Sequence, residues 1–400
     1  MQIVSAGRSS LTKPSIVSRF VVRPERIYPR AFARHALSPV CKTRLESPPV
    51  VAHSCLSTDI FGIKPSFSSF STAASRRPTG NMAENDSPAS PALRYVDIGI
   101  NLSDPMFRGS YHGKQAHEDD LDDVIQRARD VGCAKFMVTG SDLEESAHAV
   151  EIARKYQGFC YATVGVHPCQ AKLFDEHPGG PSKMLEELRA LAIESKKAGL
   201  TVAFGEIGLD YDRLFLSPKE PQLKYFEAQL DLAIEMQMPL FLHSRAASED
   251  FERVLGSRLE KLPKGGLVHS FTGTMEEMNR LVALGLDIGV NGCSMKTDEN
   301  LEVVKAIPLE RIQIETDGPW CEIRPSHASA KFLNGAPDLP KSMKKEKWQK
   351  GCMVKGRNEP VAIVRVAHVI AQVKGVTVEE VCEAAWNNSI RMFGLGEKSP

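Results

Sequence analysis

Thr201-Val202-Ala203-Phe204-Gly205-Glu206-Ile207-Gly208-Leu209-Asp210-Tyr211 is a nearly continuous apolar run interrupted by two carboxylates. Lys219–Met236 follows with helical spacing of apolar residues, and then a second apolar run, Pro239–Arg245, ends Leu242-His243-Ser244-Arg245. A strand buried on both faces, a helix and another such strand make the repeating unit of a parallel sheet covered by helices. Working outward from this unit, the alternation recurs eight times. The other runs are Tyr95–Asn101, Ala134–Ser141, Cys160–Pro168, Gly266–Gly273, Asp287–Cys293 and Ile312–Trp320, with further helices expected at Asp119–Val131 and Met275–Leu284. Eight units in about 300 residues predict an α/β fold of the TIM type, a (β/α)8 barrel. A doubly wound open sheet is the alternative, but no Gly-x-Gly-x-x-Gly follows the first strand. After the eighth strand the pattern predicts a long loop, then closing helices near Glu359–Lys374 and Thr377–Phe393. The folded domain is expected over 92–396.

The residues before it read differently. The net charge of the 400-residue chain is zero, but residues 1–80 carry 12 Lys or Arg against 3 Asp or Glu, and the remainder is acidic to the same extent. The first 80 residues also hold 14 serines and no acidic residue before Glu25. They show no sustained period, which is the composition of an organellar transit segment, expected over 1–81. Chloroplast and mitochondrion are both compatible destinations, and Met82 offers a second start for a cytoplasmic or nuclear form. No run is long and apolar enough to span a bilayer, so no membrane partner is expected. The nine scattered cysteines form no Cys-x-x-Cys pair, so neither a zinc ribbon nor a disulfide framework is indicated. An acidic body does not coat nucleic acid by charge alone, so any such contact must be local.

In a barrel, chemistry collects where the strands end. Strand one ends Asp97-Ile98-Gly99-Ile100-Asn101, strand three Gly165-Val166-His167-Pro168, strand four Gly205-Glu206-Ile207-Gly208-Leu209-Asp210 and strand five His243-Ser244-Arg245. Strand six ends His269-Ser270-Phe271-Thr272-Gly273, and strand eight Glu315-Thr316-Asp317-Gly318-Pro319-Trp320. Charged groups directly after apolar strands are costly to bury unpaired. Taken singly, each has a plain reading as a packed histidine, a helix cap or an ion-pair partner. Closing the strands into a ring instead points Glu206, His243, His269 and Asp317 at one mouth. Two imidazoles and two carboxylates suit a divalent cation, with Mg²⁺ the first expectation and Mn²⁺ or Zn²⁺ the alternatives.

These strand-end motifs, with Ile314-Glu315-Thr316-Asp317 and Arg357-Asn358-Glu359-Pro360, resemble the TatD family in order and spacing from Tyr95 to about Phe393. The loop Asp104-Pro105-Met106-Phe107-Arg108-Gly109 is similar to that of its eukaryotic branch. The resemblance implies a metal-dependent deoxyribonuclease with a metallo-dependent hydrolase barrel, acting as a 3′→5′ exonuclease and also as an endonuclease. It further implies Glu206, His243, His269 and Asp317 as metal ligands. Asp317 would also take a proton from the attacking water, and His167 would face the scissile phosphate. One departure stands out. Many members of the wider family carry Asp-x-His-x-His on strand one, where this chain has Gly99 and Asn101. Asp97 and Asn101 are therefore candidates only for a weak second metal or for substrate.

The segment 319–358 leaves the barrel beside Asp317 and holds nine Lys or Arg against Glu322, Asp338 and Glu346. It also carries Trp320, Phe332 and Trp348. Basic groups that track a backbone and aromatic faces that stack bases are the means of non-specific single-strand binding. Lys344, Lys345 and Lys347, with Arg245 at the end of strand five, are the candidate DNA contacts. The expected partner is DNA, single-stranded or at 3′ ends. Two other functions compete: an amide or ester hydrolase using the same ligands, such as an aminoacyl-tRNA deacylase, and a non-catalytic nucleic-acid-binding protein.

Overall fold

A computed structural model of the chain describes residues 93–398. The transit segment expected over 1–81 lies outside the described residues. Eight strands form one parallel sheet in chain order: β1 (Tyr95–Ile100), β2 (Cys133–Val138), β3 (Cys160–Val164), β4 (Thr201–Asp210), β5 (Leu240–Arg245), β6 (Gly266–Val268), β7 (Asp287–Val290) and β8 (Ile312–Ile314). The ring is nearly closed between β8 and β1. There the Asp317 N–H donates to Gly99 O at 2.8 Å, the Asn101 N–H to Gly318 O at 2.9 Å, and the Thr316 N–H to Asp97 Oδ1 at 2.9 Å. Sequence order equals spatial order, as right-handed βαβ crossovers in a barrel require.

The covering helices are α1 (Leu121–Asp130), α2 (Leu143–Lys155), α3 (Gly180–Lys197), α4 (Lys219–Met236), α5 (Ser248–Gly256), α6 (Met275–Ala283), α7 (Asp298–Ala306), α8 (Ile363–Lys374) and α9 (Val378–Phe393). Several begin where the sequence supplies a cap. Asp142 accepts from the Glu145 N–H ahead of α2, and Thr274 with Glu277, Thr297 with Asn300 and Thr377 with Glu380 form reciprocal capping boxes. No single described helix is long and apolar enough to cross a membrane.

Two apolar clusters position the site. The larger lies between the sheet and the helices. The smaller fills the barrel itself, where Val96, Ile98, Met137, Tyr161, Ala203, Phe241 and Leu267 meet Trp386, Ile390 and Phe393 of α9. This packed floor leaves polar side chains to project from the opposite, C-terminal ends of the strands.

The strands are shorter than the apolar runs. The third stops at Val164, the sixth at Val268, the seventh at Val290 and the eighth at Ile314. Beyond β6 and β8 the chain turns through left-handed backbone at Ser270 (φ 48°) and Asp317 (φ 52°), which ends the ladder where chemistry begins.

Candidate metal centre at the strand mouth

Glu206 on β4, His243 on β5 and His269 just after β6 are each 6% exposed, held at the rim of the packed interior. One oxygen brings them together. Glu206 Oε1 lies 2.7 Å from His269 Nε2, 2.9 Å from His243 Nδ1 and 3.3 Å from His167 Nε2. Asp317 stands three residues beyond the end of β8. Its Oδ1 accepts from Asn101 Nδ2 at 3.0 Å, and its Oδ2 accepts from the Cys321 thiol at 3.1 Å. His167, Glu206, His243 and His269 thus meet around one oxygen, and His167, Glu206 and His243 offer ligand atoms close enough together to hold one metal ion.

Two further carboxylates hold the imidazoles from behind. Asp210 Oδ2 stands 3.1 Å from His243 Nε2, and Glu315 Oε2 stands 3.3 Å from His269 Nδ1. Glu315 Oε1 accepts from the Ser270 N–H and, at 3.3 Å, from Asn291 Nδ2. Both carboxylates are fully buried. Each leaves the opposite ring nitrogen, His243 Nδ1 or His269 Nε2, facing the shared mouth. This is the arrangement by which an outer carboxylate fixes the tautomer of a metal-binding histidine. Sequence reasoning missed this role of Asp210 and Glu315. The available signal was a carboxylate inside an apolar run, four residues after Glu206 and two before Asp317.

The charges oppose one another strongly. Burial pushes the Glu206 carboxyl up, but His269, His167 and His243 outweigh it and hold the group well below the usual carboxylate range. Burial pushes His269 down, yet Glu206 and Glu315 raise it well above an ordinary histidine. His167 is lowered, mainly by burial. Asp317 is pushed up to about 7 by burial, with Glu315 and Glu206 adding repulsion and His269 opposing. Glu206, Asp210, Glu315 and Asp317 therefore crowd four carboxyl groups around three imidazoles. Among the described residues, the buried Asp210 Oδ1 has no hydrogen-bond partner. A divalent cation fits this donor set, because it offsets the surplus of negative charge and accepts both nitrogen and oxygen donors.

Comparison with known proteins decides the family. Residues 96–394 match the model of the TatD related DNase family. This chain belongs to the TatD family. It is 53% identical over 303 residues to the deoxyribonuclease Tat-D of Schizosaccharomyces pombe, covering 76% of this chain and 96% of that one. It is 33% identical to a protein of Erwinia amylovora named 3′-5′ ssDNA/RNA exonuclease TatD, covering 75% of this chain and 99% of that one. Its fold matches the crystal structure of a TatD family hydrolase from Entamoeba histolytica with a TM-score of 0.69 at 36% identity, over 76% of this chain and 98% of that one. The protein is thus a hydrolase acting on phosphodiester bonds.

Within this TatD barrel, strand one is occupied differently from the Asp-x-His-x-His pattern. A Cβ placed on Gly99 would fall 2.2 Å from Glu315 Oε2 and 3.3 Å from Phe241 Cζ. Glu315 therefore fills the space that a side chain at Gly99 would need. Asn101 directs its amide nitrogen, a donor and not a ligand atom, at Asp317 Oδ1 and Gly318 O. Asp97 is wholly buried, and its oxygens accept from Thr316 N, Thr316 Oγ1 and Gly99 N. Burial raises its carboxyl to about 8. Asp97 closes the seam of the barrel and Asn101 orients Asp317.

The segment after β8 is partly used within the TatD fold itself. Trp348 stacks on His117 with ring centroids 4.9 Å apart and donates to Cys352 O at 2.8 Å. Phe332 packs against the core, while Trp320 is exposed. Lys344 and Lys347 are exposed, and Lys345 Nζ lies 4.6 Å above the Tyr111 ring. Arg245 Nη1 sits 4.0 Å from Asp210 Oδ2 at the rim of the site. Arg357, counted among the basic residues of this segment, is withdrawn from the surface. It is buried, with both Nη atoms on Asp120 and one also on Glu359. Its neighbour Asn358 donates to Thr316 O at 2.9 Å and to Pro319 O at 3.0 Å. The Arg-Asn-Glu-Pro motif therefore fastens the turn that carries Asp317.

Proposed function

We propose that this TatD hydrolase is a divalent-metal-dependent deoxyribonuclease that trims single-stranded DNA from the 3′ end, with endonucleolytic cuts as a second mode, in DNA degradation or repair. The observation that carries the reading is the convergence of His167, His243 and His269 on Glu206, with Asp317 held at the end of β8 by Asn101 and Cys321. The name of the Erwinia amylovora relative, 3′-5′ ssDNA/RNA exonuclease, supports the polarity and the action on single strands. Glu206, His243, His269 and Asp317 would hold the ion, with Mg²⁺ first and Mn²⁺ or Zn²⁺ as alternatives. When bound, a divalent cation lowers the pKa of water and neutralises charge on a phosphate oxygen.

The remaining work falls to the side chains. Asp317 accepts the proton of the attacking water, and the Asn101 and Cys321 hydrogen bonds fix how its two oxygens point. His167 Nδ1 accepts from the Cys169 N–H at 3.0 Å, so a neutral ring carries its proton on Nε2, on the side facing Glu206. That N–H is placed to donate a hydrogen bond to the oxygen of the leaving strand as charge develops on it. Asp210 and Glu315 keep His243 and His269 turned toward the mouth. Arg245, with Lys344, Lys345 and Lys347 further out, would hold phosphates of the bound strand. Delivery to an organelle through residues 1–81, with a cytoplasmic or nuclear form from Met82, belongs to the same proposal.

The test is cleavage of a 5′-labelled single-stranded oligonucleotide by metal-free protein supplied with Mg²⁺, Mn²⁺ or EDTA, with an RNA of the same sequence alongside. A ladder shortening from the 3′ end, absent with EDTA, is expected. Intact oligonucleotide under every metal would redirect the reading to a carbonyl hydrolase.

A further inference from the structure

Among the described residues, four large apolar side chains are strongly exposed: Leu214 (40%), Phe215 (75%), Leu284 (38%) and Trp320 (42%). Leu284 lies after α6, at the far end of the barrel from the site. The other three lie on two loops that leave the C-terminal ends of β4 and β8. Those strands are four apart in an eight-strand ring, so the two loops face each other across the mouth. Scattered single exposures are ordinary on protein surfaces; three of four on opposite lips of one site are not scattered.

The loop after β4 is braced at its base. Gln222 of α4 accepts from the Asp210 N–H at 2.8 Å and donates to Asp210 O at 2.9 Å and Ser217 O at 2.8 Å, tying both ends of the loop to one side chain. Tyr211 Oη donates to Asp250 Oδ2 at 2.8 Å, and Lys219 Nζ pairs with the same oxygen at 2.7 Å. The Leu216 N–H closes the tip onto Arg213 O at 2.9 Å. An apolar ring is thus displayed in water on a backbone held from both sides. Its neighbours are cationic. Asp210 Oδ2, which orients His243, also lies 3.8 Å from Arg213 Nη1 and 4.0 Å from Arg245 Nη1. Two guanidinium groups therefore stand next to the site on the side from which this loop rises.

We infer that Phe215 is a stacking platform for one unpaired base of the substrate strand, with Arg245 placed for an adjoining phosphate. The inference rests on the nuclease reading above and deepens it. A base in a duplex hides its faces in the stack, whereas an unpaired base offers a face to an aromatic ring and stacks without regard to sequence. Phe215 therefore makes the enzyme prefer single strands.

The experiment uses the full chain with Mn²⁺ and a set of oligothymidylates, each carrying one abasic residue at a successive position from the 3′ end. With unmodified oligothymidylate, Phe215→Ala should raise KM about tenfold, the scale of one lost base stack, while Phe215→Trp keeps it near the wild-type value. In the wild type, one abasic position should reproduce the same loss, and in Phe215→Ala that position should no longer matter. A variant that merely loosened the fold would retain the position-specific abasic effect, which overturns the platform. Equal KM for wild type and Phe215→Ala overturns it as well. Oligothymidylate left uncut by the wild type would overturn the nuclease reading together with the platform, an outcome distinct from the other two.

Discussion

Replacing Glu315 by glutamine should weaken metal binding by a route that can be worked out atom by atom. Glu315 Oε1 accepts from the Ser270 N–H and from Asn291 Nδ2, while Oε2 faces His269 Nδ1. A glutamine of the same shape can keep only one oxygen. If that oxygen stays with Ser270 and Asn291, the amide nitrogen donates to His269 Nδ1. The ring then carries its proton on Nε2, and the nitrogen facing Glu206 loses the lone pair a metal needs. If the amide is flipped, its nitrogen meets the donors of Ser270 and Asn291 in a fully buried site. Either arrangement costs about 1–3 kcal/mol, which at 1.4 kcal/mol per tenfold weakens the metal about 5- to 150-fold. Asp210→Asn provides the contrast. Because Asp210 Oδ1 has no partner among the described residues, an asparagine can turn its nitrogen there and keep oxygen toward His243. Its loss should be the smaller of the two. Calorimetric titration of Mn²⁺ into metal-free wild type, Glu315→Gln and Asp210→Asn gives the order directly. Unchanged affinity in Glu315→Gln, or a larger loss in Asp210→Asn, would refute the tautomer argument.

Other residues give sharp expectations. His167→Ala should lower kcat on DNA by about 10²–10³, but far less on thymidine 5′-p-nitrophenyl phosphate, whose leaving group carries its charge without help; equal losses on both would remove the leaving-group role. Gly99→Ala drives a methyl group against the buried carboxylate of Glu315 and should cost about 1–3 kcal/mol. Calorimetry should register this as a Tm several degrees lower, and an unchanged Tm would mean that Glu315 can step aside. Exchanging Lys344, Lys345 and Lys347 together for alanine should raise KM and flatten its dependence on salt by up to about 2 log units per log unit of salt, at about 0.7 per single-strand phosphate contact. Identical salt slopes would show that the three lysines only keep the loop soluble.

Where the sequence was legible, it was so because one physical signal dominated. Strands buried on both faces and separated by amphipathic helices can hardly assemble except as a covered parallel sheet, and eight of them close. Lys219–Met236 was bounded correctly from its sequence, and Met275–Leu284 missed the end of its helix by one residue. The strand ends were read too long. In Gly266–Gly273 and Ile312–Trp320 the ladder stops at Val268 and Ile314, directly before His269 and Glu315, and the left-handed turns at Ser270 and Asp317 leave no mark in hydropathy. Roles that depend on a partner far along the chain were hidden in the same way. Glu315 looks like a neighbour of Asp317, and only the closed ring brings it to His269 and into the space above Gly99. Arg357 reads as one more cation of a basic loop until Asp120 and Glu359 are seen around it. Trp348, equally, reads as a free stacking face until His117 is found against it.

The central claim is that Glu206, His243, His269 and Asp317 together hold the ion that phosphodiester hydrolysis requires. A manganese anomalous difference map from crystals of the active protein tests it most directly. The account predicts a peak bounded by these four side chains, with Asp210 and Glu315 still behind the two imidazoles. A peak elsewhere, or none at this mouth in a preparation that cleaves DNA with Mn²⁺, would contradict it.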